Sequence, residues 1–168
     1  LPDGCTDTTA CNYDAIANCD DGSCILPGCT DATACNYDGS ATCDDGSCIT
    51  VTAGADRTIC NGYAPSSLNA TGSIDSIPSG TGTYSWTDAL GVFLGAGSNF
   101  SPGPLTNTTT YTVSYTDAGS ICTATADVTI TVNPVPTVTL TASPDPACIG
   151  NNILLTATAT PSLSSTQY

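Results

Sequence analysis

Residues 5–24, Cys-Thr-Asp-Thr-Thr-Ala-Cys-Asn-Tyr-Asp-Ala-Ile-Ala-Asn-Cys-Asp-Asp-Gly-Ser-Cys, return nearly unchanged at 29–48. Every cysteine of the unit recurs 24 positions on, as Cys5/Cys29, Cys11/Cys35, Cys19/Cys43 and Cys24/Cys48. The aspartates recur with them, while positions 8/32, 15/39, 16/40 and 18/42 change. A tandem repeat that holds its cysteines and carboxylates is defined by cross-links and acidic side chains. Its large apolar residues are few, chiefly Leu1, Tyr13, Ile16, Ile25, Leu26 and Tyr37. A core that thin does not offset the entropy of ordering the segment, so covalent staples must. We expect two disulfides in each repeat, each contributing roughly 2 to 4 kcal/mol. The connectivity stays open, because four cysteines allow three pairings.

Cross-links of this density would crowd Asp7, Asn12, Asp14, Asp20 and Asp21 in the first repeat, and Asp31, Asn36, Asp38, Asp44 and Asp45 in the second. No base lies nearby, and a hard cation would relieve the repulsion. Calcium, with six to eight oxygen ligands in flexible geometry, suits such a set better than magnesium. The spacing is not that of an EF-hand. The alternative is that Asp7 and Asp31 cap single helical turns and the Asp-Asp pairs, each followed by Gly, face solvent in tight turns.

The net charge of −14 divides into nine Asp and no base over residues 1–48, and six Asp with Arg57 over the rest. Phosphate backbones and anionic bilayers are therefore poor partners. The chain has no Lys, His, Glu or Met, and more than a quarter of it is Ser or Thr. General acid–base and nucleophilic catalysis usually draw on the first three of those residues, so an enzyme is not expected. No apolar run approaches the length of a membrane-spanning helix, and no basic leader with an apolar stretch opens the chain. We read it as mature or excerpted sequence. Eleven cysteines without zinc-site spacing point to an oxidising, extracellular compartment.

From Ile49 onward the pattern alternates with period two. Ile49–Ala53, Thr83–Trp86, Thr110–Tyr115 and Ala126–Val132 read as strands, with Gly, Pro, Asn and Ser clusters at 78–82, 95–104 and 117–120 between them. An antiparallel β-sandwich follows, with Trp86 between the sheets and Tyr111, Val113 and Tyr115 on one buried face. Cys60 and Cys122 are the two cysteines of this part, both beside turn residues, and are expected to pair. After Asn133-Pro-Val-Pro136 the programme restarts. Val138–Ala142 echoes the first strand, Cys148 echoes Cys60, and Tyr168 falls where Tyr84 stood. Two strands alone are marginal in water, so this tail is expected to be completed by further sequence or by another chain. Leu1-Pro2 similarly copies Leu26-Pro27, as if another repeat preceded it.

The expected architecture is thus mostly β. Two small disulfide-rich, calcium-binding repeats with little regular structure (1–27 and 28–49) precede an antiparallel sandwich (50–133) and a partial second module (134–168). The pattern Gly-Cys-Thr-Asp-x-Thr-Ala-Cys-Asn-Tyr-Asp…Asp-Asp-Gly-Ser-Cys, at 4–24 and 28–48, resembles tandem repeats of large secreted surface proteins of Bacteroidota-type bacteria. Many of those repeats have an aliphatic residue where this chain has Cys19 and Cys43. Residues 50–133 resemble the Ig-like or PKD-like modules that such proteins string together. The resemblance implies exported stalks, filaments and adhesins. It also favours O-glycans on Asp-Ser/Thr triplets, here at Thr8 and Ser76, beside the N-glycosylation patterns at Asn69, Asn99 and Asn107. A structural stalk or filament segment that associates with itself or with neighbouring modules is the first expectation. An adhesin or glycan-binding module using Asp88, Phe93, Asn99 and Phe100 is the alternative.

Overall fold

A computed structural model describes residues 2–75, 77–78 (as backbone), 82–119, 122–143 and 145–160. Leu1, Ser76 and Tyr168, and the expectations attached to them, lie outside the described residues. Those described are mostly β, with no helix among them.

Each repeat is built on one short parallel pair: β1 (Asp3–Gly4) with β2 (Cys19–Asp20), and β3 (Pro27–Gly28) with β4 (Cys43–Asp44). The remaining order is in backbone turns that recur 24 residues apart. Thus Asp14 N–H donates to the Cys5 carbonyl as Asp38 N–H does to Cys29, both at 2.9 Å. The helical turn expected after Asp7 is a hydrogen-bonded turn only. Ala10 N–H reaches the Asp7 carbonyl (3.1 Å), but Cys11 N–H, which would have to continue a helix, donates instead to Ile25 across the loop. Asn18 N–H bonds the Pro2 carbonyl and Thr42 N–H bonds that of Leu26. Pro2, not Leu1, therefore occupies the place of Leu26, and the Leu-Pro copies are one residue out of register. Repeat 1 buries only Cys5 and Ala10 among its apolar residues, whereas repeat 2 buries Cys29, Ala34 and Cys48 together, with Ile49 joining the cluster of Tyr115 and Ala124.

Behind the repeats, a five-stranded sheet has the order β11 (Phe93–Ala96), β10 (Thr83–Asp88), β13 (Thr109–Thr116), β14 (Ala124–Asn133), β6 (Arg57–Cys60). Its pairs are antiparallel except β14 with β6, which is parallel. Two smaller sheets are β5 (Ile49–Thr52), β8 (Thr71–Ile74), β9 (Ile77–Pro78), and β7 (Leu68–Asn69) with β12 (Asn99–Phe100). Alternation in the long strands puts Trp86, Tyr111, Val113, Val128 and Ile130 on one face, where they join Ala53, Leu68 and Ala70 in one buried cluster. Phe100 packs there too, stacked on Trp86 at 5.7 Å and edge-on to Tyr111 at 5.4 Å. Gly72 is required where β8 crosses the buried Tyr115 ring, since a Cβ would fall 2.5 Å from it.

The tail forms an antiparallel ribbon, β15 (Thr137–Ser143) with β16 (Leu154–Thr160). Because successive side chains alternate, Val138, Leu140 and Leu155 share one face, whereas Thr137, Thr139 and Thr141 oppose Thr160, Thr158 and Thr156 on the other. The three hydroxyls of β15 donate to carbonyls of β16 at 3.2 to 3.4 Å. The apolar face is open, with Val138, Leu140 and Leu155 each about two-thirds exposed.

Candidate functional site

The repeats carry most of the charge and all but three of the cysteines, so the site is built from them. Four disulfides are present: Cys5–Cys24, Cys29–Cys48, Cys11–Cys43 and Cys35–Cys122. The first two each close a repeat on itself, as expected, but the second bridge expected inside each repeat is replaced by one that leaves it. Cys11 reaches into the next repeat and Cys35 reaches the start of β14. Cys19, Cys60 and Cys148 are exposed thiols.

The expected Cys60–Cys122 pair is therefore wrong, and strand geometry says why. Cys60 is level with Asn133 at the far end of β14, whereas Cys122 stands before Ala124 at its near end. At about 3.3 Å per residue, roughly 30 Å separates the two, and a disulfide spans Cα atoms under 7 Å apart. Both residues sit beside turns, but at opposite ends of the sheet.

The acidic side chains do local work. Asp7 Oδ1 accepts the Thr9 N–H (2.9 Å) and hydroxyl (2.8 Å), and Asp31 does the same with Thr33. Asp14 accepts from Ile16 N–H, Asp38 from Ser40, Asp20 from Gly22, Asp44 from Gly46, Asp21 from Ser23 and Asp45 from Ser47. All eight carboxylates thus take the N–H two residues ahead, which is the Asx turn. Asn12 spans its loop, accepting from Ile25 N–H (2.8 Å) and donating to the Ser23 carbonyl (2.7 Å); Asn36 repeats this with Ile49 and Ser47. The Thr9 N–H and then its hydroxyl hold the Asp7 carboxyl below its ordinary value, as Thr33 does for Asp31. At Asp21 and Asp38 the serine hydroxyl has the larger effect and the backbone N–H the lesser. A depressed carboxyl stabilises the fold above its unfolded pKa and loses that contribution as pH falls through the folded value. These bonds are therefore intact at neutral pH.

The ten residues expected to hold calcium are accordingly spread along turns. Among the described residues, no three His, Cys, Asp or Glu side chains are grouped closely enough to hold a metal ion. Calcium needs six to eight oxygens around one point, and this donor set does not fit as placed. An open cavity of about 210 Å³ between repeat 2 and the β8–β9 turn is lined by Thr30, Asp31, Asp44, Cys48, Thr50 and Asp75. Asp75, absent from the expected ligands, is held there with φ 48° by a bond from its N–H to the Cys48 carbonyl. All three carboxylates are exposed. Melting curves in millimolar calcium and in EGTA are expected to agree within about 2 °C; a larger rise with calcium would show the loops regrouping around the ion.

Of the other expected positions, Asn69 and Asn99 are exposed and face each other across β7 and β12, and Thr8 and Asn107 lie exposed in turns. Of the aromatic pair proposed for a ligand, Phe100 belongs to the core, while Phe93 remains exposed. Asp88 is occupied in its own turn, accepting from Leu90 and Val92 N–H at 2.9 Å each. No protein-family model matches the sequence, and no curated protein is significantly similar to it.

Proposed function

We propose that this chain is a structural segment of an extracellular stalk or filament. The observation that carries the reading is the pair of cross-links Cys11–Cys43 and Cys35–Cys122, which join each unit covalently to the next: repeat 1 to repeat 2, and repeat 2 to the β layers. Side-chain packing between nearly coreless units would be weak, whereas a disulfide at each junction fixes one unit against the next under pulling or shear. Four disulfides suit an oxidising exterior, and no helix among the described residues is long and apolar enough to cross a membrane.

In this reading the two β layers are an Ig-like module that terminates the repeat array. The β15–β16 ribbon is the opening half of a second such module. Its bare face of Val138, Leu140 and Leu155 is covered by strands of a neighbouring module or chain. The sequence resemblance to bacterial surface proteins supports the same setting. One observation favours the adhesin alternative: the β10–β11 hairpin exposes Leu90, Val92 and Phe93 together. Electron microscopy of exported material labelled with antibody to residues 1–49 tests the choice. Label along fibres or stalks is expected, and label only on dispersed particles that bind glycans saturably would favour the adhesin.

A further inference from the structure

The bonds that leave each repeat follow a rule. First and fourth cysteines close a unit on itself; the second bonds forwards, and the third receives a bond from the unit before. Cys11, the second of repeat 1, bonds Cys43, the third of repeat 2. Cys35, the second of repeat 2, likewise bonds forwards, to Cys122 ahead of β14. The third cysteine of repeat 1 is Cys19, and it is an exposed thiol.

We propose that Cys19 is the docking point for a further repeat of the same kind, which bonds it through its own second cysteine in an Ala-Cys-Asn-Tyr-Asp setting. The support beyond the thiol is the backbone frame around it, which occurs twice and is cross-linked once. Asp3 pairs with Cys19 in β1–β2 as Pro27 pairs with Cys43 in β3–β4. Asn18 N–H bonds the Pro2 carbonyl as Thr42 N–H bonds that of Leu26. In repeat 2 this frame carries repeat 1 through the Cys11–Cys43 bond, and Cys43 is half-buried. In repeat 1 the same backbone frame holds Cys19 as an exposed thiol.

The rule also narrows the partner. A second folded copy of this chain does not qualify, since its Cys11 and Cys35 are already bonded. The partner is a repeat whose second cysteine is still a thiol, either in the same polypeptide or in a different one. Bond formation removes two protons and two electrons from the two thiols. A disulfide-bearing thiol oxidant of the exterior accepts them and leaves as a dithiol. The proposal deepens the stalk reading by giving the array a direction, with repeats added at the Cys19 end and Cys122 closing the other.

Native exported material, alkylated before extraction and digested without reduction, provides the test by mass spectrometry. The expected product is the Cys19 peptide joined to a Cys-Asn-Tyr-Asp peptide other than those of Cys11 and Cys35. Alkylated Cys19, or Cys19 joined to Cys11, Cys60, Cys148 or a small thiol, would overturn the proposal. Gels with and without reductant separate the two permitted sources: reduction leaves the chain mass unchanged for a repeat in the same polypeptide and lowers it for one in a separate chain. The expected link in material that forms no fibres would keep the docking rule and refute the stalk; fibres with alkylated Cys19 would do the reverse.

Discussion

Trp86→Ala is expected to lower the unfolding free energy of the β layers by about 3 to 5 kcal/mol, the range for deleting a large buried aromatic. Trp86 is fully buried on the inner strand β10, between β11 and β13, with Gly95 and Val113 as cross-strand neighbours. Its ring stacks on Phe100, and its Nε1–H donates to the Gly97 carbonyl at 3.0 Å. Truncation therefore opens a cavity between sheets and leaves that carbonyl without its donor. Chemical denaturation followed by far-UV circular dichroism measures the loss, since the fluorescent group is itself removed. Phe93→Ala, on the exposed side of the edge strand, is the control and should change stability by no more than about 0.5 kcal/mol.

The second large effect is expected from removing the junction bridge with Cys35→Ser and Cys122→Ser together. That bond closes a loop of sequence separation 87. Loop-closure entropy assigns such a loop about 4 to 5 kcal/mol, more than any shorter bridge here. Around it, Ile49, Tyr115 and Ala124 form a buried cluster against which both cysteines pack, so the change also loosens the contact between repeat 2 and the sheets. At about 2 to 4 °C per kcal/mol for a chain of this size, the melting midpoint should fall by roughly 10 to 20 °C. The matching change at Cys11 and Cys43 closes a separation of only 32 and lies away from the β core. It should leave the melting of the β layers in place while freeing repeat 1. Equal effects from the two pairs would contradict the assignment of Cys35–Cys122 as the junction.

What the sequence could tell depended on how local the cause was. The long strands were legible, because Trp86, Tyr111, Val113, Tyr115, Val128 and Ile130 alternate with polar residues and a half-buried strand needs that alternation. Shorter strands were hidden by their composition. Thr71-Gly-Ser-Ile74 and Phe93-Leu-Gly-Ala96 carry glycine and too few residues to show a period, yet the second pairs along the longer β10 and the first with the equally short β5. The parallel pairing of β6 with β14 rests on contacts between residues 57–60 and 130–133, which no local pattern encodes.

The repeats divide the same way. The four cysteines in each unit were a sound basis for expecting disulfides, and Cys5–Cys24 and Cys29–Cys48 follow the unit's own boundaries. An even count per repeat made a self-contained pairing look natural. In the structure the two inner cysteines, Cys11 and Cys43, belong to different units, and an even number says nothing about which of them are neighbours in space. The part the carboxylates play in the turns was hidden for a related reason. Crowding was inferred from cross-links taken to lie inside each unit, whereas each of these Asp side chains accepts the N–H two residues ahead in its own turn. The same residue type at the same spacing serves either purpose, and only backbone geometry separates a turn-former from a ligand.

The central claim is that units are joined in sequence by bonds that cross their boundaries. Peptide mapping of the oxidised chain, with thiols blocked and without reduction, tests it most directly. The account predicts four linked pairs, Cys5–Cys24, Cys29–Cys48, Cys11–Cys43 and Cys35–Cys122, in intact 168-residue protein. Recovery of Cys11 linked to Cys19 and Cys35 linked to Cys43, with Cys122 bonded to Cys60, would contradict it.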